Sequence, residues 1–248
     1  MIKVIGIDPA PSKESTVFDG NNFFPFSYIK LKGCLKKIKK ENTENKMLIC
    51  WDAPLSFSID CSSPFTKRDI EKFFSQKEGE ETPKGISVMG YSTCPHWIIT
   101  QNLLGYPQTN ECNFNHPYQL VFNQKDITLS ITEVHPAVAI WLWCREENHG
   151  LTNWNYKGKK EENEKIIDCL IEILKSKSII DDEVIKLIKE KPRKKQDDYL
   201  DAYIAWKLGQ EWVTSNQNVM ILGDSNTGSF LLPYSEKLFV KFNNYKFK

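Results

Sequence analysis

The sequence predicts a mixed α/β fold in which three antiparallel strands lead into helix-linked parallel strands. Three observations predict it. A β-branched segment at residues 2–8 runs straight into a hairpin pattern at 15–28. A run apolar on both faces, MLICW at 47–51, follows a single short amphipathic stretch, as a central parallel strand would. After a last alternating segment near residue 130, helical periodicity takes over.

In order, IKVIGID (2–8) is β-rich and stops at Asp-Pro, a strand meeting a loop. STVFD (15–19) and NFFPFSY (22–28) flank Asp19-Gly20-Asn21, a turn between paired strands. Residues 29–41 set Ile29, Leu31, Leu35 and Ile38 among lysines, an amphipathic helix. Residues 55–125 are irregular, rich in Ser, Pro, Asn, Gly and aromatics, with helices expected near 66–76 and 95–104. Long irregular stretches in compact domains tend to carry function, so this insertion is expected to shape a substrate surface. ITLSITEV (127–134) alternates as a strand and precedes an apolar helix from 137 to about 144. Further helices are expected at 161–176, 181–190 and 196–213, then a hairpin pairing 219–222 with 229–232 across GDSNTG. The whole chain, 1–248, reads as one domain with an insertion at about 55–125.

Composition narrows the function classes. With 40% hydrophobic and 26% charged residues the chain is an ordinary globular one. No apolar run approaches the ~20 residues of a membrane span. The N-terminal apolar stretch is too short for a signal peptide and merges with the first strand. Seven dispersed cysteines without a CxxC pair read as reduced, which points to the cytoplasm and away from zinc. The net charge of +1 lacks the basic excess of proteins that coat nucleic acid nonspecifically. Basic stretches at 30–40 and 189–195 read more readily as a solvated helix face and a charged linker than as nucleic-acid contacts.

Acidic residues carry the chemistry. Asp8 ends the first strand, Asp52 the fourth, and Glu133 sits near the end of the fifth. If these strands are parallel neighbours, all three emerge at the carboxyl edge, where open α/β sheets bind ligands. Asp198 and Asp201 are three apart on a helix and share a face. Taken singly, Asp8 or Asp52 is explained by a turn or helix cap. Asp201 is harder to explain so, because Leu200, Ala202, Tyr203 and Ile204 surround it and a buried carboxylate is costly without a partner. Oxygen donors without His or Cys select Mg²⁺ or Mn²⁺. Such a set suits two-metal phosphoryl transfer, with Asp8 bridging, Asp52, Asp198 and Asp201 as terminal ligands, and Glu133 either as an additional ligand or as a group that supports the ligands from behind.

The segments GIDPAPSK (6–13), WDAPLSF (51–57), TKRD (66–69), EVHPA (133–137) and DDYLDAYIAW (197–206) resemble the predicted RNase H-like nucleases grouped as domain of unknown function 429. The motifs follow the family's order from residue 1 to about 232, including the LGD…G…LP segment at 222–233. The resemblance implies an RNase H-like fold and a metal-dependent nuclease acting on DNA or RNA. The placement of Asp8, Asp52, Asp198 and Asp201 is similar to the acids of RuvC-type Holliday-junction resolvases. Two departures stand out: Asp52 replaces the usual glutamate, and Pro9 stiffens the loop after Asp8. Arg68 is a candidate phosphate-binding residue, with a surface ion pair to Glu71 or Asp69 as the equal alternative. His96, His116 and His135 sit beside prolines and read as structural. The tryptophans could stack on bases, but core packing accounts for most of them.

Two other classes stay open on the sequence. One is a non-catalytic RNase H-fold module that binds nucleic acid or protein, motivated by the near-neutral charge and Asp52. The other is a small-molecule phosphotransferase or phosphohydrolase; the actin-like kinases share the strand–hairpin opening but need a second phosphate loop and a closing domain, and only GDSNTG at 223–228 offers a loop.

Overall fold

The computed structural model describes residues 2–10, 13–41, 46–55, 67–75, 86, 100, 103, 119–120, 127, 129–147, 151, 153–157, 161–214, 217–224 and 228–245. Strand β1 (Lys3–Asp8) pairs antiparallel with β2 (Ser15–Phe18), and β2 with β3 (Phe23–Phe26). Gly20, at φ +103°, makes the β2–β3 turn, and Asp19 Oδ1 accepts the N–H groups of Asn21 and Asn22 at 3.0 Å. Helix α1 (Tyr28–Glu41) then returns the chain to β4 (Met47–Trp51), which lies parallel to β1 on its other side. Beyond β4 come β6 (Leu129–Glu133) and the two-residue β5 (Gln119–Leu120), both parallel. The sheet order is β3-β2-β1-β4-β6-β5. Three antiparallel strands followed by parallel ones is the arrangement the hydrophobic patterning predicts.

Both faces are covered. On one, Leu31 and Leu35 of α1 meet Ile5, Ile7, Ile49, Trp51 and Ile131. On the other lie α3 (Pro136–Cys144), α4 (Glu161–Ser176), α5 (Asp182–Lys189) and α6 (Gln196–Thr214). The helix α6 packs hardest against β1, and two glycines make that possible. A Cβ on Gly6 would stand 2.1 Å from the Ala202 carbonyl and 2.4 Å from the Trp206 nitrogen. One on Gly209 would stand 2.3 Å from Cys50 Sγ and 2.7 Å from Val4 Cγ1. Helix and strand therefore touch backbone to backbone.

The C-terminal hairpin forms as the sequence indicates, from β7 (Val219–Asp224) and β8 (Gly228–Pro233). A parallel bridge from Val134 to Leu231 ties it to the end of β6. Helix α2 (Asp69–Phe74) falls within the helix expected near 66–76. Only Thr100 and Leu103 of the 95–104 expectation are described, and most of the 55–125 insertion lies outside the described residues. Helix α7 (Glu236–Asn243), capped by Ser235 accepting the Leu238 N–H, is an element the sequence reading omitted. Among the described residues, Cys34, Cys50, Cys144 and Cys169 are free thiols, and no helix is long and apolar enough to cross a membrane.

Candidate metal centre

The carboxyl ends of β1 and β4 fix the first two acids. Ile7 stands beside Trp51 in register, and the Asp52 N–H donates to the Ile7 carbonyl at 3.0 Å. Asp8 and Asp52 therefore leave adjacent strands at one edge. Side chains alternate along β1, so Val4, Gly6 and Asp8 share the face that α6 covers. Since α6 places Gly209 over Val4 and the turn from Ala202 to Trp206 over Gly6, Asp201 at the N-terminal end of that turn comes to Asp8. One carboxylate oxygen from each of Asp8, Asp52 and Asp201 lies within 4.8 Å of the other two.

Three carboxylates so close repel one another in a poorly solvated place. Burial raises the Asp8 carboxyl well above its usual range, and the charges of Asp201 and Asp52 raise it further. Asp52 is pushed up to about 7, first by burial, with Lys157 pulling it down and Asp201 and Glu133 pushing it up. Two other groups complete the cluster. The Tyr156 hydroxyl donates to Asp201 Oδ1. The Lys157 ammonium stands 2.6 Å from Asp201 Oδ2 and 3.9 Å from Asp52 Oδ2. Burial works against that ammonium's charge, but Asp201, Asp52 and Asp8 more than offset it and hold Lys157 protonated.

The remaining sequence candidates sit elsewhere. Asp198, one turn before Asp201, is paired with Lys13 and lies outside the three-carboxylate group. Beyond it the surface opens into a cavity of about 290 Å³ whose lining includes Lys13, Glu14, Lys195 and Tyr199. Glu133 aligns with Trp51 and Ile7, one register step short of the Asp8–Asp52 row, so alternation sets its side chain off the other way. Both of its oxygens accept from Arg68, and Oε2 also accepts the Leu55 N–H at 2.8 Å. Its work in this arrangement is to anchor the loop that follows Asp52.

Arg68 is the clearest correction. Its side chain is fully buried, with the guanidinium bonded to Glu71 Oε1 at 2.7 Å as well as to Glu133. A group so enclosed presents nothing to a phosphate in solution. The ion pair with Glu71 was an alternative the sequence left open, but it is a core pair rather than a surface one. Opposing burial, Glu133 and then Glu71 raise the Arg68 pKa and keep it charged.

Tyr156, Lys157 and Lys13 were not singled out from the sequence. NWNYKGKK at 153–160 looks like a polar connection, and no spacing in it signals contact with residues 44 to 105 positions away. His135, read as structural, is buried at the N-terminus of α3; burial and then Lys157 lower its pKa to about 3.

No curated protein and no solved structure matches the chain. The family model described as "Protein of unknown function (DUF429)" matches residues 117–226, a span from β5 through β7 that includes Glu133, Lys157, Asp198 and Asp201 but neither Asp8 nor Asp52.

Proposed function

We propose that the protein is a divalent-metal-dependent nuclease of RNase H-like fold that hydrolyses phosphodiester bonds in DNA or RNA. The observation that carries this reading is the convergence of Asp8, Asp52 and Asp201 from two parallel strand ends and a helix. The strand order supports it, being the one the family resemblance leads us to expect.

The donor set fits a hard divalent ion. It is all oxygen, it is partly withdrawn from water, and the raised pKa of Asp8 and Asp52 registers burial first and then mutual repulsion, a cost to their charges that Mg²⁺ or Mn²⁺ would offset. Bound there, such an ion would supply an activated water and stabilise charge on a leaving oxygen. The chain's own part is to hold the three carboxylates in place. Gly6 and Gly209 let α6 approach, the Asp52 N–H locks onto the Ile7 carbonyl, and Tyr156 orients Asp201. These three acids suit one ion. The two-ion scheme expected from the sequence would also need Asp198, which must first part from Lys13.

A second reading has one observation in its favour: the cage already holds a cation, Lys157, as a non-catalytic binding module could allow. Two measurements separate the readings. Single-stranded and structured DNA and RNA are incubated with the protein and Mn²⁺, and cleavage is followed on gels. The nuclease reading expects products that disappear with EDTA and in Asp8→Asn. No cleavage on any substrate, together with no Mn²⁺ binding at millimolar concentration, would favour the binding module.

A further inference from the structure

Lys157 reaches the three-carboxylate group from a segment whose backbone is itself tied down. Asn153 Oδ1 accepts the Asn155 N–H at 3.0 Å, Asn155 Oδ1 accepts the Lys157 N–H at 3.2 Å, and Asn163 Nδ2 donates to the Lys157 carbonyl at 2.6 Å. Next to it, the buried Tyr156 ring is fixed through its hydroxyl to Asp201. The ammonium thus arrives on a built support rather than on a loose surface chain. It takes Asp201 Oδ2 and faces Asp52 Oδ2, oxygens of two of the three carboxylates that form the group.

We infer that Lys157 is a tethered cation that competes with the divalent ion for Asp8, Asp52 and Asp201, and so sets the metal affinity of this site. The inference rests on reading the cluster as a divalent-ion site. A carboxylate oxygen directed at an ammonium 2.6 Å away cannot also coordinate a metal about 2.0–2.2 Å away without the ammonium withdrawing, because the two cations repel at such separations. Lys157 can withdraw. Its side chain is 47% exposed, so the freed ammonium has water to enter. With the ion absent, Lys157 offsets the repulsion within the cluster; with the ion present, that role passes to the metal. The association constant measured for Mn²⁺ is then the intrinsic one multiplied by the fraction of molecules in which the Lys157 pair is open.

The test compares wild type, Lys157→Met and Lys157→Arg, each first shown to be folded by circular dichroism, in a Mn²⁺ titration followed by calorimetry and by the electron-spin signal of free Mn²⁺. Lys157→Met should bind Mn²⁺ about tenfold or more tightly than wild type, and Lys157→Arg should stay within a few-fold of it. Equal or weaker binding by Lys157→Met would overturn the competition while leaving the metal site standing. Absence of binding by folded wild type and folded Lys157→Met alike would remove the site and the competition together. A second measurement needs only wild type. Acetylation of Lys157 by acetic anhydride, read by mass spectrometry, should speed up several-fold when Mn²⁺ saturates the protein, with surface lysines such as Lys165 unchanged. No change at Lys157 under saturating Mn²⁺ would overturn the inference.

Discussion

At the scale of single residues, the buried charges are the most exacting part of the molecule. Arg68 sits between Glu71 and Glu133 with all three side chains almost wholly out of water. Desolvating them is costly, and mutual pairing offsets that only while every partner is present. Arg68→Met should therefore destabilise the fold by about 3–5 kcal/mol, the range for leaving buried partners uncompensated, as read by urea unfolding. A loss under 1 kcal/mol would show that water reaches the two glutamates. Asp52 gives a pH prediction. Its folded pKa of about 7 lies above the ordinary 3.8, so the native state holds more protons than the unfolded state between those values. Stability must fall as pH rises through that window, with the penalty absent below about 3.8 and complete above about 7. His135 runs the other way: its pKa is lowered to about 3, so its contribution is lost as pH falls below 6.5. The two overlap, and the difference between wild type and Asp52→Asn isolates the first. Measured in EDTA, Asp52→Asn should gain on wild type from pH 5 to pH 8 by on the order of a few kcal/mol. A pH-independent difference would mean that Asp52 is ionised throughout.

At the scale of elements, one contact decides the site, that of α6 on β1. Gly6→Ala would place a methyl where the Ala202 carbonyl and Trp206 nitrogen stand, both backbone atoms that only a shift of the whole helix can move. Overpacking of this kind costs about 1–3 kcal/mol or more. Because the same helix delivers Asp201, Gly6→Ala should also weaken Mn²⁺ binding, whereas a merely structural glycine would change stability alone. Gly33 is the control: on α1 its added methyl meets nothing within 4 Å, and Gly33→Ala should stabilise by about 0.5–1 kcal/mol. Thermal unfolding and calorimetry of the two variants check both statements. The strands β1, β2, β3, β4 and β6 and the helix bounded by Glu161–Ser176 could be read from the chain because period 2 and period 3.6 are local properties. Strand ends then gave Asp8 and Asp52, and helical spacing gave Asp201. Glu133 lies one register step short of the Asp8–Asp52 row, which alternation turns into the opposite face, and that step is not visible in a single strand's pattern. The burial of Arg68 and the contacts of Lys157 escaped for a different reason: Glu133 lies 65 positions from Arg68 and Asp201 lies 44 from Lys157, and nothing local marks a basic residue as buried or caged.

For the molecule as a whole, the question is whether the acidic cluster stabilises the fold or is tolerated for its chemistry, and its members should answer differently. Asp201 is the acceptor for Tyr156 and Lys157, so its charge is matched by hydrogen bonds. Asp8 has no ion pair or hydrogen bond to its carboxylate among the described residues, and its burial and neighbours all make its charge unfavourable except Lys157. In metal-free buffer Asp201→Asn should therefore destabilise, by about 2–3 kcal/mol, through the loss of a buried partner. Asp8→Asn should leave stability unchanged or raise it by about 1 kcal/mol, since a neutral amide of the same shape relieves the repulsion. With millimolar Mn²⁺, wild type should gain thermal stability by mass action and both variants should gain almost none. Opposite signs without metal combined with a shared loss of the Mn²⁺ response belong to a site whose geometry is held against its own electrostatics for binding an ion. If Asp8→Asn instead lost stability as Asp201→Asn does, the cluster would be an ordinary buried network. Calorimetric scans of three proteins, with and without Mn²⁺, separate the two cases.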